Sequence, residues 1–243
     1  MRTVRSTFIL VLMAAMVAML GADVADAGKL GKLKKKKKPK YVLTLADIEP
    51  KLAALELGDW EFTGIKYDHI GVSEYDEFFK SAAKLHGLVL LNQEMAGAAT
   101  KSLKKYAMSR AADEAMKENI DGLVGDTPPE EWTTEQNVAV MKMAKAQKKI
   151  SADETKYFAK TAGTMAIGVA ALSKGLETAQ DLAAQGAELQ GNTSKVKKLK
   201  IPAAVKGTKR SLEHVKAAGE EGPALAEEIN VLISAFRALS AAE

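Results

Sequence analysis

The strongest structural signal in the sequence is a seven-residue repeat in residues 158–183, FAKTAGTMAIGVAALSKGLETAQDLA. Apolar side chains recur there at alternating steps of four and three residues, which places one stripe along a helix and turns it toward a partner helix. Ser151 and Glu154 have the spacing of a capping box and predict the start of this helix, and Gly191 with Asn192 predicts a left-handed stop. The stripe consists of Phe158, Ala162, Met165, Val169, Leu172, Leu176, Ala179 and Ala183.

A second stripe with the same spacing predicts a helix from Ser73 to about Ile120. Ser73 would cap this helix, with Asp76 in its first turn. Only Asn92 interrupts the stripe. It either fixes the helix register from a buried position or faces solvent, because a straight helix does not hold a seven-residue period, and the solvent-facing interpretation is favoured. The stripe consists of Phe78, Ala82, Leu85, Val89, Ala96, Ala99, Leu103 and Tyr106.

The remaining helices are marked by their breaks. Residues 121–129 form a predicted turn, and a helix over about 130–149 follows it. Two further helices are predicted to begin at Pro202 and at Pro223, because proline suits the first turn of a helix. Their apolar stripes are Val205, Thr208, Leu212 and Val215 in the first, and Leu225, Ile229, Leu232, Phe236 and Leu239 in the second.

Long helices joined by short turns favour antiparallel neighbours. The predicted fold is therefore all-α, an elongated up-and-down bundle of four to six long helices over residues 73–243. A mixed segment over residues 41–72 precedes it, with a helix from Pro50 to Gly58 and a small irregular or two-stranded segment near residues 58–72. Helices of one chain already supply partners for one another, so a monomer is favoured over pairing of helices between chains.

Residues 1–27 have the pattern of an export signal. Two arginines precede the uninterrupted apolar run of residues 8–20, and the triplet Ala-Asp-Ala at 25–27 offers the small side chains that a signal peptidase accepts. Cleavage between Ala27 and Gly28 would send the mature chain to the periplasm or the medium. A localisation outside the cytoplasm is therefore expected.

Residues 28–40 form a lysine-rich arm that conflicts with export, because dense positive charge beyond an apolar segment tends to stay in the cytoplasm. The alternative is an uncleaved membrane anchor through residues 6–22, which is at the lower limit for a span. Mutual repulsion predicts a solvated, disordered arm. Its lysines are Lys29, Lys32, Lys34, Lys35, Lys36, Lys37, Lys38 and Lys40.

This arm is expected to associate with an anionic membrane or another envelope polyanion. The alternative is a solubilising tail without a specific partner. Aromatic residues do not alternate with the lysines, so base stacking is not supported and sequence-specific nucleic-acid recognition is not expected.

The net charge of +4 averages regions of opposite sign. Residues 41–243 hold 25 basic and 29 acidic side chains, a net charge of −4, whereas residues 194–216 hold eight basic side chains and one acidic side chain. This second basic segment either pairs with acidic helices of the same bundle, which is slightly favoured, or binds an external anionic ligand. The possible patch consists of Lys195, Lys197, Lys198, Lys200, Lys206, Lys209 and Arg210.

Motifs for catalysis, cofactors or metals were not found in the sequence. It contains no cysteine, which excludes disulfides, thiolate metal sites and cysteine nucleophiles. The three histidines, His69, His86 and His214, lack the spacing of zinc-protease and di-metal helices, so each is expected to be solvated or hydrogen-bonded. Phosphate-binding glycine loops and a nucleophile elbow are also missing. No cofactor and no metal are expected.

The expected function is that of a non-enzymatic, exported helical-bundle binding or structural protein of the bacterial envelope. Its arm would associate with an anionic surface, and the bundle would bind a protein partner that the sequence does not identify. A membrane-active, pore-forming-like protein is the alternative, because residues 161–173, TAGTMAIGVAALS, are uncharged and rich in small residues. Thirteen residues are too few for a normal span, so a core segment is favoured there. An enzyme of unknown type is the third hypothesis.

Overall fold

A computed structural model describes residues 65–241 and, before them, only Pro50. In this part of the chain the structure contains six α-helices and no strand, which confirms the all-α prediction. Residues 65–72 are irregular, so the two-stranded alternative finds no support where it can be checked. The helices are α1 (Ser73–Ala111), α2 (Glu114–Val124), α3 (Thr134–Ala146), α4 (Ala152–Glu177), α5 (Ala179–Gly191) and α6 (Ile201–Ser240), with 3₁₀ turns at Pro129–Glu131 and Lys198–Lys200.

Helices α1 and α6 run parallel and in constant register. Facing residues differ by 128 positions, and three such pairs lie seven residues apart, which is the spacing of a parallel coiled-coil seam. The pairs are Phe79 with Gly207, His86 with His214, and Gln93 with Glu221.

Helices α4 and α5 run antiparallel to both. Gly168 of α4 lies against Met95, and Gly175, farther along α4, lies against Leu88, which comes earlier in α1. The order is therefore up, down and up through α1, the α4–α5 pair and α6, as an up-and-down bundle requires. Thr178 separates α4 from α5, and its side-chain oxygen donates a hydrogen bond to the Gly175 carbonyl at 2.7 Å.

The two apolar stripes with the seven-residue repeat lie in the core or pack against it, as predicted. Phe158 and Leu172 of α4 are fully buried, and the Phe158 ring meets the ring of Phe236 edge to face with centroids 5.6 Å apart. Asn92 is also fully buried, so the favoured solvent-facing interpretation was wrong. Its Nδ2 donates to the carbonyl oxygens of Leu88 at 2.9 Å and Gly168 at 3.1 Å, which joins α1 to α4.

The first helix differs from the prediction at both ends. It ends at Ala111 rather than near residue 120, because Asp113 accepts a hydrogen bond from the Ala115 backbone N–H and caps the separate helix α2. Val72, not Ser73, occupies the N-cap position of α1. Asp76 instead accepts hydrogen bonds from the backbone N–H groups of residues 70 and 71, at 2.7 and 2.9 Å, and so fixes the chain before the helix.

Other helix boundaries follow local capping chemistry. The predicted helix over 130–149 begins only at Thr134, since Thr133 and Gln136 form a reciprocal capping box. Ser151 and Glu154 form the capping box that the sequence predicted for α4. Helix α5 ends at Gly191 as expected, although Asn192 has φ −122° and is not left-handed.

The two predicted C-terminal helices are one 40-residue helix, α6, with Pro223 inside it. Its buried side continues across the proline through Ala218, Gly222 and Leu225, so packing on α1 and α4 holds the helix together. Val205 was expected in the buried stripe but is 41% exposed. Before Pro223 the buried side is made mainly of small residues, which are Ala204, Gly207, Thr208, Ser211, Ala218 and Gly222.

Several predictions lie outside the described residues. They are the export signal of residues 1–27 with its cleavage site at Ala27 and Gly28, the lysine arm of residues 28–40, the alternative anchor of residues 6–22, and the segment of residues 41–64 apart from Pro50.

Candidate functional site

The main candidate site is a basic surface at the junction between α5 and α6. Four lysines and two apolar side chains are exposed there, next to the core of the bundle. We call it the lysine–leucine surface, and it consists of Lys197, Lys198, Leu199, Val205, Lys206 and Lys209.

Local packing holds the start of this surface in place. Val196 is buried, and the backbone N–H of Lys200 donates to the carbonyl oxygen of Lys197 at 2.7 Å, which closes the 3₁₀ turn. The Tyr75 hydroxyl lies 2.8 Å from the carbonyl oxygens of both Leu189 and Asn192, so α1 fixes the end of α5. The turn is thereby tied to the core on one side and open to water on the other.

Three cations of the predicted patch pair with the chain before and at the start of α1. Lys195 Nζ lies 2.5 Å from the Glu74 carboxylate, and Arg210 lies 3.3 Å from Asp68. Lys200 Nζ donates to the Ile70 carbonyl oxygen at 2.6 Å. The hydrogen bond and the charge of Glu74 raise the pKa of Lys195. Lys195 and Arg210 thus pair with acidic side chains of the same chain, and Lys200 pairs with a backbone carbonyl oxygen.

The other four cations of the predicted patch are not used in this way. Lys197, Lys198, Lys206 and Lys209 are exposed, and none of them forms an ion pair with another residue in the range 65–241. Lys206 and Lys209 are one helical turn apart, so they project from one side of α6. The structure thus divides the predicted patch into a paired set and an outward-facing set.

Apolar side chains lie among these free lysines. Leu199 is 97% exposed at the tip of the 3₁₀ turn, and Val205 lies on the same side of α6 as Lys206 and Lys209. Sequence reasoning treated this segment only as a charge pattern and missed the exposed leucine. The available signal was a single leucine within the run KKLK at residues 197–200.

A second cluster lies on the seam between α1 and α6. Nδ1 of His86 and Nδ1 of His214 are 2.8 Å apart, and both rings are half-buried. One ring must donate and the other must accept, so the two neutral imidazoles hold opposite tautomers. Burial first, and then the charges of His86 and Arg210, lower the pKa of His214 to about 4. Burial also lowers the pKa of His86, against the opposing effect of Glu221.

The sequence did not predict this pair, because each histidine was considered alone and α6 was divided at Pro223. His69 lies elsewhere, with Nδ1 3.0 Å from the Asp76 carboxylate. Among the described residues no group of three or more histidine, aspartate or glutamate side chains could hold a metal ion. The chemistry available to the pair is therefore hydrogen bonding and the uptake or release of a proton.

No protein-family model, curated protein or solved structure matches this chain. Within the described part of the chain, none of the helices combines the length and the apolar character needed to cross a membrane.

Proposed function

We propose that this protein is a non-enzymatic, exported helical-bundle protein that two lysine-rich segments hold against a phosphate-bearing surface of a bacterial envelope. The observation that supports the proposal is the set of four exposed lysines, Lys197, Lys198, Lys206 and Lys209, on a turn and a helix tied to the core. The arm of residues 28–40 would add eight more lysines to the same attraction.

The uneven distribution of charge favours binding in one orientation over non-specific association. A basic side chain close to an anionic membrane contributes about 1 kcal/mol, so four fixed lysines are sufficient for measurable attraction. Residues 41–193 carry 16 basic and 23 acidic side chains and would be repelled by the same surface. The attraction is screened beyond about 10 Å at 0.1 M salt, so binding should weaken steeply as salt increases.

Export is part of the proposal and rests on residues 1–27. The mature chain would begin at Gly28 and would act outside the cytoplasm, as a monomer, with the rest of the bundle available to a protein partner. Sequencing of the N-terminus of the protein purified from its source tests this part. Recovery of Met1 or Arg2 would contradict cleavage and would favour the anchor through residues 6–22.

A pore-forming-like activity receives less support. Residues 161–173 lie in α4, where Thr161, Met165 and Leu172 are buried in the core, and Ile167 is 58% exposed. Entry of this segment into a membrane would require α4 to leave α1 and α6. Leakage of dye from vesicles, reduced by a charged residue at position 167, would favour this alternative.

The direct test is sedimentation of residues 28–243 with vesicles that contain phosphatidylglycerol, over a series of salt concentrations. Replacement of the four exposed lysines by glutamine, combined with deletion of residues 28–40, should abolish the salt-sensitive binding. The matched control combines the same deletion with replacement of four exposed lysines elsewhere, which are Lys101, Lys105, Lys142 and Lys156. Equal binding by both variants and the original chain would refute the proposal.

A further inference from the structure

Leu199 has the most exposed large apolar side chain of the described residues, at 97% of its full accessible area. The next is Val231 at 67%. Single exposed apolar residues are common on protein surfaces and carry little meaning alone. Leu199 differs because exposed lysines flank it and because a closed turn holds it away from the core.

The turn presents its side chains in a defined order. Val196 is buried as an anchor, Lys197 and Lys198 are exposed, and Leu199 follows at the tip. The first turns of α6 then continue the exposed side with Val205, Lys206 and Lys209, at helical spacings of one, three and four residues. Apolar and cationic groups are thus exposed together along one continuous stretch of chain, residues 197–209.

We infer that the lysine–leucine surface docks on an anionic phospholipid bilayer, with Leu199 inserted among the headgroups and the four exposed lysines on lipid phosphates. This inference rests on the proposed function and specifies a phospholipid bilayer as the phosphate-bearing surface. A nucleic acid or an anionic polysaccharide offers negative charge but no apolar phase for a leucine. The boundary between headgroups and acyl chains offers both, and lysines reach phosphate there while apolar side chains lie deeper.

Charge near this surface favours one orientation. Asp68 and Glu74 are both paired with cations of the predicted patch, and Glu213 lies one helical turn beyond Lys209 on α6. Approach by the lysine–leucine surface therefore presents four exposed lysines that form no ion pair within residues 65–241.

The absence of cysteine from the sequence allows a direct measurement of insertion. Leu199→Cys in residues 28–243 carries a single environment-sensitive fluorophore, and Val231→Cys is the matched control on an exposed site about 45 Å farther along α6. Vesicles of equal parts phosphatidylglycerol and phosphatidylcholine should shift the emission at position 199 to the blue and leave position 231 unchanged. If the protein binds the vesicles but the emission at position 199 does not shift, the inference is overturned.

Binding strength gives a second readout that does not depend on a label. Leu199→Ser should weaken binding to the mixed vesicles about tenfold, or about 1.4 kcal/mol, and should leave binding to soluble polyphosphate unchanged. Val231→Ser should change neither. The four-lysine glutamine variant should weaken both kinds of binding.

The outcomes separate this inference from the proposed function. Salt-sensitive vesicle binding that is unaffected by Leu199→Ser would overturn the bilayer insertion and retain the anionic-surface proposal. Vesicle binding that is unaffected by replacement of the lysines would overturn both the bilayer insertion and the anionic-surface proposal. Because Leu199 contributes almost no buried area, its variants should keep the circular dichroism of the original chain, which excludes unfolding as the cause of any loss.

Discussion

Close approach of α1 and α6 depends on the missing side chain at Gly207. A Cβ atom there would lie 2.6 Å from Cζ of Phe79, which is itself fully buried. We expect Gly207→Ala to destabilise the fold by about 1–3 kcal/mol, because the Phe79 ring would have to move within a packed core. Urea unfolding followed by circular dichroism measures this change.

The matched control is Gly97→Ala in α1, where a new Cβ would meet nothing within 4 Å. Alanine is the better helix former, so this variant should be more stable than the original by about 0.5–1 kcal/mol. Stabilisation by both substitutions would show that α1 and α6 are farther apart than described.

The His86–His214 pair predicts a stability that falls in acid. The pKa of His214 is about 4 in the fold, below the ordinary value of 6.5, so the unfolded chain takes up its proton first as the pH decreases. The contribution of this residue is therefore complete above pH 6.5 and is lost progressively as the pH falls to about 4. We expect a loss of roughly 1 kcal/mol, because water screens half-buried rings and reduces the effect.

Urea unfolding between pH 7 and pH 4 measures this loss, and His214→Phe separates it from the titration of carboxylates. The variant should lose less stability over the same interval than the original chain, since it has no imidazole at this position to protonate. An identical pH profile in both proteins would contradict the role of His214.

Helix α6 keeps its helical path across Pro223, and buried residues on both sides of the proline pack against the neighbouring helices. Proline lacks the N–H that would donate to the carbonyl of residue 219, and its ring crowds that turn. Packing of Gly222 and Leu225 outweighs this cost in the bundle. We therefore expect Pro223→Ala to stabilise the protein by about 1–2 kcal/mol, less than the full proline penalty because the unfolded chain also gains freedom. A lower thermal midpoint for this variant would mean that a break at Pro223 matters to the fold.

The same helix explains which parts of the fold could be predicted from the sequence. Large apolar stripes such as that of α4 were predicted correctly, because their period alone identifies the buried side. The first half of α6 buries Thr208 and Val215 as predicted, but it also buries small residues and exposes Val205, which a rule based on size and apolarity assigned wrongly. Breaks were least predictable, since whether a proline ends a helix depends on packing with distant residues.

The basic site of the folded molecule could be predicted as a segment but not as a surface. Residues 194–216 were identified by charge, whereas the paired and free lysines were distinguished only by partners more than 100 positions away, such as Glu74 for Lys195. The histidine pair required the parallel register of α1 and α6, which joins residues 128 positions apart. Local sequence patterns cannot identify partners that are so far apart in the chain.

We expect the protein to be a monomer in solution. The apolar stripes of α1, α4 and α6 meet one another inside the chain, so none of these three is left to pair with a second copy. A groove of about 620 Å³ lies between α3 and α6, and exposed Val231 lines it together with Glu135 and Lys142. A stable interface buries more than about 1,000 Å², and a single exposed valine supplies little of that area. Sedimentation equilibrium should therefore give the mass of one chain from micromolar concentrations upward. A mass that increases with concentration would contradict this prediction, and its reversal by Val231→Lys, but not by Leu199→Ser, would place the contact in the groove between α3 and α6.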